Sequence, residues 1–457
     1  MLRFAAICLF LLASLTAQAQ VPQSRSDISL SFAPVVKAAA PAVVNIYAKK
    51  LVPGRVSPFA GDPFFNRFFG PVPSRPRVEN SLGSGVILTA DGIIVSNYHV
   101  VGEAAEIRVV LADKREFDAD VLLAGEAADL AILQLRDVDS EALPFLPMAD
   151  SDGVEVGDLV LAIGNPFGVG QTVTSGIVSG LARSAGIGAG EGTFIQTDAA
   201  INPGNSGGAL VTVTGDLLGV NTAILTRSGG SNGIGFAIPS NLIAAYLGQA
   251  LDGASAFAQP WAGMAVQSVD AAMAQALGLE QVAGVVISEM HPQSPFAEAG
   301  LQVGDVIASV GGIAVESQAE LLFRMATHGR DQAIVDYLRG GVAGQAMVAL
   351  GPAPDEPAAS SVLIEERSPL QGAQVARINP AIIQSLDLPL AASGVVVLNA
   401  DGYARRFGLR EGDVILGING VAVELPEDVL IRAGDRTRAW QIDILRGGQR
   451  TQLRFRI

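Results

Sequence analysis

The apolar positions of this chain fall in short runs divided by glycine-rich turns. Phe32 to Ala40 reads as a short amphipathic helix stopped by Pro41, and Ala42 to Tyr47 as a first strand. From Gly83 onward strands are expected at Gly85–Thr89, Ile93–Ser96, Ile107–Leu111, Phe117–Ala124, Leu130–Leu135, Asp158–Ile163, Gly176–Ser179, Thr193–Gln196, Ala209–Val213, Leu217–Thr222 and Gly235–Ile238. So many short strands with Gly-rich turns indicate an all-β barrel or sandwich. Asn241 to Leu251 carries a helical pattern that would close the domain.

Beyond this region the chain repeats itself. Gly300-Leu301-Gln302-Val303-Gly304-Asp305-Val306-Ile307 recurs as Gly408-Leu409-Arg410-Glu411-Gly412-Asp413-Val414-Ile415. Each copy leads to a turn, Gly311-Gly312 or Asn419-Gly420, so two similar small domains are expected. Gly351 to Ser361, rich in Pro and Ala, reads as the linker between them. Residues 51–80 break the pattern with many prolines and glycines, yet contain Phe59, Phe64, Phe65, Phe68 and Phe69. Those rings need cover, either on their own domain or against a neighbouring subunit or an active site.

Composition narrows the class. The 457 residues imply two to four domains, and 49% hydrophobic residues with 52 glycines fit a globular, strand-rich protein. A formal net charge of −15 argues against a nucleic-acid partner. Arg3, the apolar run Phe4 to Leu15 and Ala17-Gln18-Ala19 form a secretory signal peptide, with cleavage expected after Ala19. Cys8 is the only cysteine and lies within that signal, so the mature chain would have no disulfide, cysteine nucleophile or thiolate metal site. No His/carboxylate spacing suits zinc and no phosphate loop appears, so neither a metal nor a cofactor is expected.

The candidate chemistry gathers around Asn202-Pro203-Gly204-Asn205-Ser206-Gly207-Gly208-Ala209-Leu210. A serine hydroxyl becomes a useful nucleophile when a base takes its proton. Flanking glycines can turn successive N–H groups into one small space, as an oxyanion hole requires. Of the three histidines only His99 shares the N-terminal β region with Ser206, at an expected strand-to-turn junction. Asp129, at the edge of the strand Leu130–Leu135, is a carboxylate that could orient the imidazole. The order His, Asp, Ser is that of chymotrypsin-type barrels.

Ser96–Val101, Ala128–Leu133 and Asn202–Leu210 resemble the three active-site motifs of the HtrA/DegP family of envelope serine proteases. Thr197–Asn202 and Gly233–Ser240 resemble the segments flanking that family's substrate pocket, and the repeats resemble its PDZ domains. The resemblance implies a mainly β chain, with a chymotrypsin-like double β-barrel followed by two PDZ domains. The implied division is a signal peptide at 1–19, a protease domain at 20–255, a first PDZ domain at 256–351, a linker at 352–361 and a second PDZ domain at 362–457. It implies His99, Asp129 and Ser206 as catalytic residues and the N–H groups of Gly204 and Ser206 as oxyanion donors. Ala200, Ile201, Ile224 and Ile234 would line a pocket for small or medium aliphatic side chains. Ala262-Gly263-Met264 would capture the carboxylate of hydrophobic C-terminal peptides. The corresponding Gln371-Gly372-Ala373 departs from the pattern, leaving peptide binding and assembly equally open for the second repeat. A periplasmic homotrimer, or a multiple of trimers, acting on unfolded proteins is the implied whole. A holdase chaperone with minor proteolysis is the alternative, and a regulatory protease cutting one membrane substrate is a third reading.

Overall fold

A computed structural model describes residues 31–52, 77–138, 142–165, 170–184, 193–202, 204–224, 231–279, 281–328 and 331–456. The expected signal peptide at 1–19, the phenylalanines of residues 59–69 and Pro203 lie outside the described residues. The chain separates into two compact units at Phe257/Ala258.

The first unit opens with α1 (Ala33–Ala39) and holds two closed barrels. One comprises β1 (Val43–Val52), β2 (Arg77–Ile87), β3 (Ile93–Ser96), β4 (Glu106–Val110), β5 (Glu116–Gly125) and β6 (Leu130–Leu135), closing in the order β1-β2-β3-β6-β5-β4. The other comprises β7 (Leu159–Gly164), β8 (Thr172–Ser184), β9 (Thr193–Thr197), β10 (Ala209–Thr212), β11 (Leu217–Ile224) and β12 (Gly235–Pro239), in the order β10-β11-β12-β9-β8-β7. The sequence pattern follows burial closely. In β3 every residue is buried, and its sequence is uninterrupted Ile-Ile-Val before Ser96. In β4 exposed Glu106 and Arg108 alternate with buried Ile107 and Val109, as a half-buried strand requires. The helix α2 (Tyr98–Val101) separates β3 from β4, and α3 (Ser240–Leu251) ends the unit. Leu242, Ile243, Tyr246 and Ala250 bury one face of α3, and burial pushes the Tyr246 phenol well above its ordinary pKa.

Three strands run longer than their apolar patterns suggest. β1 and β2 continue as a ribbon in unbroken register from Val43↔Val86 to Val52↔Arg77. Polar Lys49 and Lys50 lie within this ribbon, where the backbone ladder rather than core burial holds the strands. β8 likewise runs well beyond Gly176–Ser179 at both ends, pairing with β7 and β9.

The second unit contains the two repeats, each with its own core. In the first, β13 (Met264–Ser268), β14 (Val285–Met290), β15 (Val306–Val310), β17 (Gln332–Arg339) and β18 (Val342–Ala349) follow one another across a sheet, and β16 (Ile313–Ala314) pairs with β15. In the second, β19 (Val362–Leu363), β20 (Ala373–Arg377), β21 (Val395–Ala400), β22 (Val414–Ile418), β24 (Ala439–Arg446) and β25 (Gln449–Arg456) do the same, and β23 (Val421–Ala422) pairs with β22. The recurring Gly-Asp pair does more than turn the chain. Asp305 is buried and takes a two-pronged bond from Arg339, Nε at 2.7 Å and Nη2 at 2.6 Å. Asp413 is buried likewise and takes the same fork from Arg446, at 2.6 and 2.7 Å. Each arginine also donates to the carbonyl of Gly300 or Gly408. A guanidinium fork of this kind satisfies a buried carboxylate and fixes the strand that carries it.

Candidate active site

His99 stands on α2 rather than in an open turn, and Asp129 lies immediately before β6. Asp129 adopts a left-handed backbone conformation with φ +53°, which an aspartate tolerates better than most residues. Its carbonyl accepts from Tyr98 N at 3.2 Å and from the Asn97 amide at 3.0 Å, tying the strand end to the foot of α2. Its carboxylate accepts from His99 N at 3.0 Å. The imidazole Nδ1 lies 3.0 and 2.9 Å from the two carboxylate oxygens. The tautomer held there carries its proton on Nδ1 and leaves the Nε2 lone pair free. The Asp129 side chain is 11% exposed and that of His99 50%, so the pair is buried at its anionic end and open at its basic end. Thr222 Oγ1 donates a further hydrogen bond to Asp129 Oδ2.

Ser206 sits on the loop before β10, between Gly204 and Gly207, both with positive φ. Gly207 is required by close approach, since a Cβ there would stand 2.1 Å from Ser84 O and 2.6 Å from Ser96 Oγ. Gly207 N donates to Asn221 O at 2.8 Å, and Asn221 N to Gly208 O at 2.9 Å, fastening the loop to β11. From the other barrel, Ser84 N donates to Ser206 O at 2.9 Å and Ser84 Oγ to Gly204 O at 2.7 Å. Ser84 Oγ also accepts from Asn165 N at 2.9 Å. Among the described residues the N–H groups of Gly204 and Ser206 have no acceptor. Ser206 Oγ donates to Thr222 O at 3.2 Å, and no Ser206–His99 hydrogen bond forms among the described residues. Tyr98, His99, Glu103, Glu126, Asp129 and Thr222 are among the residues lining a cleft of about 690 Å³.

Ala200 is half-buried, and its carbonyl accepts from Thr174 Oγ1. Ile234 is half-buried beside Gly235 at the start of β12. Ile224 ends β11, its side chain outside the described residues. Ile201 departs from the expectation of a pocket-lining residue. It is 1% exposed and packs in the barrel core with Val160, Ile195 and Leu210, because the absent Gly235 side chain admits it there. Ala262 and Gly263 form the turn into β13, which begins at Met264. Their carbonyls accept from Ser294 Oγ and His291 N. Gly263 has φ +61° and lies against the Trp261 ring. Sequence reasoning passed over Ser84 and Thr222, since a lone hydroxyl residue on a strand has no local signature. Among the described residues no His, Cys, Asp or Glu cluster could hold a metal ion, and no helix is long and apolar enough to cross a membrane.

Comparison with known proteins agrees with this geometry. Residues 83–220 match the trypsin-like peptidase domain model and residues 286–339 the PDZ domain model. A Pseudomonas fulva protein named "Probable periplasmic serine endoprotease DegP-like" is 36% identical, the alignment covering 97% of this chain and 95% of that one. A Haemophilus influenzae protein named "Probable periplasmic serine protease do/HhoA-like" is 37% identical over 94% and 92%. The solved structure of the HtrA-type protease AlgW with a decapeptide is 40% identical, with a TM-score of 0.52 over 71% of this chain and 99% of that one.

Proposed function

The chain belongs to the HtrA/DegP family of periplasmic serine endoproteases, and from that membership we propose that it degrades unfolded or damaged envelope proteins through an acyl-enzyme. It is a serine endopeptidase of the periplasm. In this reading Ser206 Oγ attacks the scissile carbonyl while His99 Nε2 takes its proton. Asp129 holds the imidazole in the Nδ1–H tautomer and stabilises the imidazolium. The N–H groups of Gly204 and Ser206 receive the oxyanion. His99 then protonates the leaving amine, and water releases the acyl group by the same steps in reverse. The observation carrying the proposal is the His99–Asp129 pair at 2.9 Å, beside a serine loop with two N–H groups that have no acceptor among the described residues. Ser206 Oγ donates to Thr222 O and must turn toward His99 before reaction.

We assign residues 20–255 to the protease domain, 256–351 and 362–457 to PDZ domains and 352–361 to the linker, after a signal peptide at 1–19. Ala200, Ile224 and Ile234 form a substrate pocket without an acidic base, which favours small or medium aliphatic residues before the cleaved bond. Ala262-Gly263-Met264 receives hydrophobic C-terminal peptides, and assembly is a trimer or a multiple of trimers. The second reading, a holdase with minor proteolysis, draws on the Ser206 hydroxyl donating to Thr222 O rather than to His99. The test is digestion of a chemically unfolded, disulfide-free protein by the native chain and by Ser206→Ala. Peptides from the native chain alone support the protease. Silence from both, with aggregation still suppressed, selects the holdase. Cleavage mainly after Lys or Arg would refute the pocket assignment.

A further inference from the structure

The two repeats share a scaffold but differ at one sheet edge. In the first repeat β13 is the outermost strand of its sheet, with the helix Gln318–Thr327 of the same repeat close by. The N–H groups of Ala262 and Gly263, at the head of β13, have no acceptor among the described residues. This is an open edge of the kind that accepts an added strand. In the second repeat the corresponding strand is β20, and its outer edge is already taken by β19, antiparallel, with Val362 opposite Val375 and Leu363 opposite Gln374. Pairing continues past both ends of β19. Ile364 N donates to Ala373 O at 2.8 Å, Gly372 N to Ile364 O at 2.8 Å, and Arg377 N to Ala359 O at 2.7 Å.

The side chains follow the backbone. Ile364 is 0% exposed and packs with Leu370, Ala373, Val375 and with Val429 and Ala433 of the helix Pro426–Ala433. Val362 packs partly against the same core, while Leu363 between them faces outward. This inward-outward-inward order is how an added strand anchors alternate side chains. The Ile364 carbonyl takes the Gly372 N–H, where an arriving peptide would place its terminal carboxylate. Gln371, which breaks the expected apolar-Gly-apolar pattern, donates its side-chain amide to Glu365 O at 3.1 Å and so secures the segment just past Ile364.

We propose that Ala359–Ile364 is a built-in ligand of the second repeat, occupying the groove in which a repeat of this kind takes a C-terminal peptide. The inference rests on reading both repeats as PDZ domains. The second groove is therefore closed to free peptides until the segment leaves it. A tethered segment acts at an effective concentration in the mM range for a short linker, so a peptide supplied at about 10 μM cannot displace it.

The test uses the full chain bearing Ser206→Ala, so that nothing is cleaved, and a synthetic peptide copying residues 359–364 with a free carboxylate. Titration calorimetry is expected to give one peptide per chain. Adding Ile364→Ser is expected to give two, the new site binding at least about 10-fold more tightly than the second groove of the parent. Two peptides per parent chain, or one per folded Ile364→Ser chain, would overturn the proposal. Amide exchange on the unaltered segment is the second measurement and decides the matter if Ile364→Ser unfolds the repeat. The Ile364 and Gly372 amides are expected to exchange as slowly as those of the β20–β21 ladder, and fast exchange would overturn the proposal. A parent chain that binds no peptide refutes the ligand role given to Ala262-Gly263-Met264, and the exchange measurement still judges this one.

Discussion

Ser84→Ala isolates the link between the first barrel and the serine loop. Ser84 is fully buried in β2, and its hydroxyl joins two backbone groups of the second barrel, accepting from Asn165 N and donating to Gly204 O. Its N–H, which the substitution keeps, holds Ser206 O. The segment from Gly204 to Ser206, carrying both proposed oxyanion donors, is thus held at its two ends by one residue of the other barrel. Removing the hydroxyl leaves Gly204 O and Asn165 N–H without that partner, and each unsatisfied buried group costs about 1–3 kcal/mol. Part of that cost is relieved if the loop shifts, and the shift misaligns the donors. Losing an oxyanion donor outright costs on the order of 10²–10³ in rate. A displaced donor, still partly engaged, should cost about 10–100-fold. The fall is expected in kcat, with KM unchanged, because substrate-contacting side chains stay in place. A peptide boronate, which mimics the tetrahedral adduct, should lose affinity in step with kcat, and Ser84→Thr should recover part of both. A Ser84→Ala chain that melts earlier yet keeps kcat within about threefold would refute the reasoning and leave Ser84 a packing residue.

Two other perturbations test the second unit. Arg446→Ala strands the Asp413 carboxylate, which is 0% exposed and among the described residues keeps only the Arg410 N–H. Breaking a buried pair costs about 3–5 kcal/mol, and because Arg446 is itself partly exposed the lower end is expected. At about 4–8 °C per kcal/mol the second repeat should melt roughly 12–24 °C earlier, as read by Trp440 fluorescence in a Trp261→Phe background. A shift of only a few degrees would class the pair with surface ion pairs. His291 makes the first repeat sensitive to acid. Burial holds its pKa below the ordinary value of 6.5, and its Nδ1 accepts from Gln293 N at 3.1 Å, which only an unprotonated nitrogen can do. Between the lowered folded value and 6.5 the unfolded chain binds more protons, so this contribution is full above pH 6.5 and is lost as pH falls. Trp261 lies edge-on to the ring at 5.3 Å, so melts followed by its fluorescence from pH 7.5 to 5 should show the slope, and His291→Gln should flatten it.

What could be read in the sequence was whatever is local. The serine loop announces itself because a nucleophile, its glycines and the following strand are consecutive. His99 and Asp129 stand out because each adjoins an apolar strand, β3 or β6, that is buried throughout or nearly so. Strand ends were less legible where a ladder, not burial, holds polar residues, as at Lys49 and Lys50. Ser84 and Thr222 act across 120 and 93 positions of chain, on Gly204 and Asp129, and nothing beside them marks that reach.

The repeats make the same distinction between scaffold and use. Their likeness in sequence records what both cores require. Each needs a Gly-Asp turn, and an arginine on a distant strand to neutralise the buried carboxylate. None of those residues lies on β13 or β20, the strands that form the edge where a peptide would bind. That edge depends on the residues just upstream of each repeat. In the second these include Val362, Leu363 and Ile364, apolar enough to fill a groove, with Gln371 placed to hold Glu365 directly after them. Set beside Ala262-Gly263-Met264, the departure at Gln371 leaves peptide binding and assembly equally open. In the folded chain it is half of a contact whose other half lies six residues earlier, on a stretch whose Pro- and Ala-rich beginning reads as mere linker. Internal repetition is thus good evidence for a shared core and poor evidence for a shared ligand, because selection on a buried ion pair and on a sheet edge acts on different residues.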